Sequence, residues 1–330
     1  MSQADRVVVI GGAGFVGREL VAQLRGNVES ITVVSRRITD AQTTDEVSYV
    51  TGDVTDSNRM MEVIEGATAV YQLTIESDFI LGASNVAKAC LRHRVRRMIF
   101  TSTSDAVYLG KKRRIDESAG PDSKPALRNS YSRGKVESEK LLLQYHASEG
   151  LPVVIMRPCL VVGRGGPLAH GGIGSWKAST CLVGWGNGQN PLPFVLVQDV
   201  AAAFVSALDA PNIEGKTFNL GGDVFISARE YVRLVAERSL RNFRFYPRNL
   251  ALFNATVVTK ALIKRLLGRD GERQYYRDMV SSAMFGQVDN QAAKQLLKWQ
   301  PNVSLDVFIR EAIDCHVRPA DAGDLRLAER

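Results

Sequence analysis

The chain has 330 residues, 45% hydrophobic and 23% charged, which excludes wholesale disorder and leaves one interleaved unit or two lobes. Its formal charge of +7 comes from scattered Lys and Arg, denser at Arg92–Arg97 and Lys111–Arg114, without the aromatic-interleaved basic face of a nucleic-acid binder. No apolar stretch approaches the roughly 18 residues of a bilayer span, the four cysteines form no CxxC pair, and the four histidines form no HExxH, so neither a membrane-spanning protein, a disulfide scaffold nor a metal enzyme is expected. Met1–Arg6 shows no secretory h-region, and with reduced cysteines a cytoplasmic location is expected.

In chain order, Arg6–Ile10 is a continuous apolar run suited to a strand buried on both faces. Gly11–Gly17 follows, then a helix over Arg18–Leu24. Strands are predicted at Ile31–Val34, Val47–Val50, Ala69–Leu73 and Arg97–Thr101, with a helix at Ser84–Arg94. Strands alternating with helices imply βαβ units and a parallel sheet. Tyr131–His146 reads as a helix, Pro152–Val162 as one strand, and 163–193 as a glycine-rich loop. Val195–Val197 and Val200–Leu208 read as a further strand and helix. Ser227 with Glu230 is a capping box for a helix over Ala228–Leu240. Closing helices follow at Asn290–Trp299 and Leu305–Cys315, the second capped by Ser304, before a polar tail at 319–330.

The segment Val7–Gly17 places Gly11, Gly14 and Gly17 between strand and helix. Gly11 allows the tight turn, Gly14 lets the backbone approach a pyrophosphate, and Gly17 lets helix and strand pack closely. The helix N-terminus then offers free N–H groups to phosphates. Gly11, Gly14, Phe15, Val16 and Gly17 are therefore candidate dinucleotide contacts. The second strand ends in Ser35-Arg36-Arg37 without a carboxylate, which favours NADP over NAD, with Arg36 and then Arg37 as contacts for the 2′-phosphate.

Tyr131 and Lys135 lie four residues apart, on one face of a helix. A neighbouring ammonium, with the positive nicotinamide of an oxidised cofactor, favours the phenolate and brings Tyr131 toward useful base strength. The fifth strand runs into Thr101-Ser102-Thr103-Ser104-Asp105, a hydroxyl cluster at the sheet's carboxyl edge, where it can stabilise charge on a substrate oxygen.

These motifs, with Gly52-Asp53-Val54-Thr55-Asp56, Val70–Thr74, Arg157-Pro158, Phe194–Val200 and Phe218–Gly221, follow one another in an order that resembles the extended short-chain dehydrogenase/reductases, or NAD-dependent epimerase/dehydratase family. The resemblance covers nearly the whole chain. It implies an α/β fold: a Rossmann-type doubly wound parallel sheet over 1–165 plus about 194–222, with a smaller substrate-binding lobe from about 166–193 plus 223–318. It also implies adenine contacts from Asp53 and Val54, further cofactor contacts from Leu73, Thr74, Tyr131, Lys135, Pro158 and Val161, and a Ser/Thr–Tyr–Lys triad. Counting back from Val107-Tyr108 puts the triad hydroxyl on Ser104, the favoured choice; counting forward from Phe100 puts it on Thr103. A homodimer is expected by resemblance, through the Ser84–Arg94 and Tyr131–His146 helices.

Departures narrow the substrate. Ala106 stands where the family's dehydratases carry Glu, which disfavours dehydration. Leu192-Pro193 replaces the Arg-Asp of many sugar-nucleotide members, although Arg164, Lys177 or Arg229 could supply a cation. The leading expectation is an NAD(P)-dependent oxidoreductase or epimerase acting on a secondary alcohol or ketone of a sugar nucleotide or related glycosyl compound. A hydroxysteroid-dehydrogenase-like enzyme for a hydrophobic alcohol is one alternative, and a non-catalytic NADP sensor another. The stretch Leu250–Leu267, with Lys260, Lys264, Arg265 and Arg269, reads first as a helix packing its apolar face on the small lobe, and second as a peripheral membrane contact.

Overall fold

The apolar runs of the first third become strands β1 (Arg6–Ile10), β2 (Ser30–Ser35), β3 (Val47–Thr51), β4 (Ala69–Gln72) and β5 (Arg97–Thr101). With β7 (Val153–Pro158) and β13 (Thr217–Leu220) they form a seven-stranded parallel sheet of order β3-β2-β1-β4-β5-β7-β13. The order reverses between β1 and β4, the switch point at which ligands bind in open α/β sheets. The computed structural model describes residues 5–38, 43–75, 78–108, 114–178, 180–266, 276–283 and 287–317. The tail 319–330, Lys111–Arg113, Leu267 and Arg269 lie outside them.

Side chains alternate across the sheet, so each face has its own core. Val7, Val9 and Ile99 pack with α1 (Phe15–Leu24) and α5 (Val197–Asp209), while Val8, Ile10 and Phe100 pack with α2 (Ser57–Ile64), α3 (Phe79–Arg92) and α4 (Ser130–Glu149). A third cluster gathers β8 (Leu160–Val162), β12 (Phe194–Leu196), α6 (Ala228–Ser239) and α10 (Leu305–Ala312). Next to α9 (Gln291–Leu296), Trp299 packs with Ala293 in the first of these clusters.

Several expected boundaries shift. Helix α1 starts at Phe15, earlier than Arg18, because Gly14 takes the N-cap. Asp78 starts α3 ahead of Ser84 by accepting from the Leu81 N–H. Helix α2 went unread in the sequence; Asp56 caps it. The single strand expected over Pro152–Val162 divides, because Pro158 has no N–H to continue the ladder. Strand β7 stays in the main sheet, and β8 turns away to pair with β12. Within the expected loop 163–193 lies a hairpin, β9 (Gly174–Ala178) with β10 (Cys181–Gly184), joined by β15 (Arg244–Tyr246). Short ladders also form between β6 (Arg114–Ile115) and β16 (Gln287–Val288), and between β11 (Pro191–Leu192) and β14 (Ile226–Ser227). The caps at Ser227 and Ser304 form as read. The basic apolar stretch is helical as α7 (Leu250–Leu266), next to α8 (Tyr276–Ala283); Leu250, Phe253 and Val257 are half-buried on one side, and none of its described side chains is fully buried.

A buried ionic clamp fixes α4 against the sheet. Arg157 on β7 donates to both Glu139 oxygens, Nε at 2.8 Å and Nη2 at 2.6 Å, and its Nη1 donates to the Ala119 carbonyl at 2.9 Å. Ser102, just past β5, donates to the same carboxylate at 2.5 Å. Arg157 and Glu139 are fully enclosed. Removing one partner of such a pair strands the other charge in the core, which costs about 3–5 kcal/mol. Glu139→Ala is therefore expected to lower stability by about that amount, read from the urea midpoint at unchanged m-value. A loss below about 1 kcal/mol would show the clamp to be dispensable.

Candidate active site

At the carboxyl edge of β1 and β2 the glycine turn opens on a cavity of about 390 Å³. Gly11 has φ +85°, and a Cβ on Gly17 would stand 2.4 Å from the Gly11 carbonyl oxygen, so the turn and the start of α1 close only over glycine. Gly11, Gly14, Phe15, Val16, Gly17, Arg36, Asp53, Val54, Leu73 and Thr74 all line the cavity. Arg37 is exposed, and Pro158 and Val161, on β7 and β8, are not part of its lining. The Asp53 carboxyl accepts from the Thr55 N–H at 2.9 Å and hydroxyl at 2.8 Å. Those bonds hold it below the usual carboxylate range, with the Arg36 charge adding to them. The cradle fits a dinucleotide: backbone approach is open at the glycines, a free helix N-terminus adjoins them, and Thr74 presents a buried Oγ1 with no partner among the described residues.

Thr74 joins this cavity to the catalytic candidates. Lys135, 2% exposed, donates from Nζ to the Thr74 carbonyl at 3.1 Å and the Thr101 carbonyl at 2.8 Å. The ammonium also lies over the rings of Phe79 and Phe100, at 5.2 and 4.9 Å. One turn earlier on α4 is Tyr131, whose ring meets Phe79 edge-on at 5.8 Å. Gly134 makes this contact feasible, since a Cβ there would stand 2.3 Å from the Phe79 ring. The only sequence signal for that contact is a glycine inside an otherwise helical segment.

The hydroxyl cluster separates into two directions. The Thr103 hydroxyl lies close enough to the Tyr131 phenol to ease its ionisation, and the Ser104 hydroxyl does the same for the Cys159 thiol. The residue that made the count ambiguous is absorbed by a 3₁₀ turn, Ser104–Ala106, which Thr103 caps by accepting from the Asp105 N–H at 3.2 Å. The alternate, Thr103, thus acts on the phenol, and the favoured Ser104 acts on the Cys159 thiol. Burial pushes the Tyr131 phenol up to about 12; the neighbouring Asp105 carboxyl adds to this and the Thr103 hydroxyl opposes it. The protein's own groups therefore favour the neutral phenol, whereas the sequence reading counts the positive nicotinamide of an oxidised cofactor, together with the Lys135 ammonium, as what favours the phenolate. Burial likewise raises the Asp105 carboxyl, against the opposing charge of Arg128.

A second buried network, with no signal in the sequence, holds the start of α4. Arg128, 1% exposed, donates from Nε to Asp278 at 2.5 Å, from Nη1 to Asp122 at 3.0 Å and from Nη2 to the Asp105 carbonyl at 2.9 Å. The other Asp278 oxygen accepts from the Asn129 N–H at 2.7 Å, and Asn129 itself caps α4 through the Ser132 N–H. Arg277 pairs with Asp122 and stacks 3.3 Å over the Tyr108 ring. Burial alone would raise the Asp122 carboxyl, but bonds from Arg277, the Lys124 N–H and Arg128 outweigh it and bring it to about 2. Helix α8, remote in sequence, thus fixes the turn from which Tyr131 emerges.

A hydrogen bond to a charged group contributes about 1.5–3 kcal/mol. Asp278→Ala is expected to cost about 2 kcal/mol of stability and to lower kcat, while cofactor affinity stays unchanged because the glycine cavity does not include α8. Thermal melts, kinetics and cofactor titration read the three quantities; unchanged kcat would separate this network from the site.

The NAD dependent epimerase/dehydratase family model matches residues 7–221. A UDP-glucose 4-epimerase of Mycolicibacterium smegmatis is 23% identical over 94% of this chain and 97% of its own. A 3beta-hydroxysteroid-dehydrogenase/decarboxylase of Arabidopsis thaliana is 26% identical over 61% of this chain and 52% of its own. The solved structure of MoeE5 in complex with UDP-glucose and NAD shares the fold with TM-score 0.72 and 19% identity, covering 94% of this chain and 98% of that one. With the family model matching most of the chain, the protein belongs to the NAD-dependent epimerase/dehydratase family.

Proposed function

We propose that the chain is an NAD(P)-dependent oxidoreductase or epimerase that works on a secondary alcohol or ketone carbon of a sugar nucleotide or related glycosyl compound. The observation that carries this reading is the helix α4, whose Lys135 reaches the Thr74 rim of the glycine cavity and whose Tyr131, one turn earlier, lies near the Thr103 hydroxyl. Gly11, Gly14 and the α1 N-terminus would hold the pyrophosphate, Asp53 and Val54 the adenine, and Arg36 the 2′-phosphate of NADP. When bound, the nicotinamide supplies hydride exchange with a carbon bearing oxygen.

The remaining chemistry falls to side chains of this chain. Thr103 holds the substrate oxygen beside Tyr131. The protonated phenol donates to that oxygen as it gains negative charge, and takes the proton back in the reverse direction. Lys135 fixes the rim between β4 and β5 and keeps a positive charge near it. Thr103 replaces Ser104 as our choice of triad hydroxyl. Buried Ala106 offers no acid or base for water elimination, which favours epimerisation or simple redox over dehydration. Arg229 is engaged with the Asn187 carbonyl and the Phe245 ring, so Arg164 or Lys177 remains to meet an anionic substrate.

The second reading is a hydrophobic alcohol, supported by Leu192, which is buried in the third cluster where many relatives carry a cation. A sensor without chemistry has no use for a phenol near a hydroxyl beside a buried lysine. The division into a dinucleotide unit and a substrate lobe, the cytoplasmic location and a homodimer through α3 and α4 belong to this proposal. Exposed Ile80 and Leu81 on α3 are consistent with the dimer. Among the described residues no helix is long and apolar enough to cross a membrane.

Absorbance at the reduced-nicotinamide band, over a panel of UDP-sugars and hydroxysteroids, tests the proposal. Tyr131→Phe is expected to lower kcat by about 10²–10⁴ with cofactor still bound. Thr103→Val should follow it, and Ser104→Ala should leave activity close to wild type. Near-normal turnover by Tyr131→Phe would remove the mechanism, and an active steroid with inert sugars would select the second reading. For the cofactor, Arg36→Ala is expected to weaken NADP binding about tenfold or more and leave NAD unaffected. Calorimetric titration of both would defeat the preference if wild type bound NAD as tightly.

A further inference from the structure

Helix α7 carries an apolar stripe that points away from the protein. Leu252, Ala255, Thr259, Ile263 and Leu266 recur at helical spacing and so share one face. All five are exposed, Leu252 at 68%, Ile263 at 51% and Leu266 at 87%. The half-buried residues fall on the opposite side, where Phe253 meets Trp185 and lies under the Arg248 guanidinium at 4.3 Å. That inner side, with Leu250, Phe253 and Val257, already supplies the packing face, so the outer stripe is a second apolar face left open to solvent.

Charge indicates what covers this face. From Ser239 to Leu266 the sequence holds Arg241, Arg244, Arg248, Lys260, Lys264 and Arg265, and no Asp or Glu. Arg241, Arg244, Arg248 and Lys260 form no ion pair with any described residue. A second copy seated on the same face in a two-fold pair would set these cations against their own kind. An anionic bilayer satisfies both features at once, apolar side chains entering the acyl boundary and cations meeting headgroup phosphates.

We propose that α7 is a peripheral docking helix that lies in the headgroup layer of an anionic lipid bilayer. Leu252, Ile263 and Leu266 enter the apolar boundary, and the flanking Arg and Lys bind the phosphates. The helix does not cross the bilayer. Helix α7 touches α8, so the docked surface sits one element away from the Asp278 anchor of α4. This assignment is independent of the substrate.

The test is co-sedimentation of the full chain with vesicles of phosphatidylcholine alone or mixed with phosphatidylglycerol, at low and high salt, beside size-exclusion chromatography. Wild type is expected to pellet with the anionic vesicles at low salt, and to stay in solution with the neutral ones or at high salt. Combined Leu252→Ser, Ile263→Ser and Leu266→Ser should weaken partition at least tenfold. Arg241→Ser and Lys260→Ser should each weaken it roughly fivefold. All five positions are exposed, so circular dichroism and cofactor titration should match wild type. No binding to anionic vesicles, or equal binding to both kinds, would overturn the proposal. So would an oligomer that dissociates in the Leu/Ile variant, because a second copy would then be the occupant.

Discussion

The position of helix α4 depends on charges placed where water cannot reach them. Arg157 and Glu139 lose their hydration in the core, and only full mutual pairing offsets that loss. The pairing is complete because Ser102 and the Ala119 carbonyl use the groups left over. The clamp therefore has one geometry, with α4 seated across the ends of β5 and β7. A neutral contact would allow the helix to slide along the sheet; a bidentate guanidinium–carboxylate pair does not.

With α4 fixed, its first turns serve two structures at once. Lys135 reaches carbonyls at the ends of β4 and β5, and through Thr74 it borders the glycine cavity. Tyr131 lies near the Thr103 hydroxyl that follows β5. The parallel sheet brings all of these strand ends to one edge, so groups from four segments of the chain converge without any unusual backbone. Glycine is needed where the backbone takes a positive φ, as at Gly11, where backbones nearly touch, as at Gly17, and where an aromatic ring must lie on a helix, as at Gly134.

The electrostatics of the cluster favour the neutral phenol. Burial dominates at Tyr131, and the nearest carboxyl, Asp105, pushes in the same direction. Arg128 is spent on two aspartates and a carbonyl, so its charge stabilises the turn more than it acidifies the phenol. The Lys135 ammonium is satisfied by two carbonyls and two aromatic faces.

The order of strands and helices was legible in the residues, because β-branched runs buried on both faces and glycines at a strand–helix turn impose local rules that hold in any context. The glycine loop, Arg36, Tyr131 and Lys135 were picked out by local pattern, and Asp53 and Thr74 by family resemblance; the structure lines one cavity with the glycines, Arg36, Asp53 and Thr74 and sets Lys135 at its Thr74 rim. The sequence favoured Ser104 over Thr103, and the 3₁₀ turn after β5, which sets where each hydroxyl lies, leaves no local pattern. Glu139 with Arg157, and Arg128 with Asp278, were not legible either, because partners far apart along the chain leave no periodic trace. The outward stripe of α7 shows the same limit: helical spacing marks a face as apolar, but only the packing of the whole chain decides whether that face points to the core or to solvent.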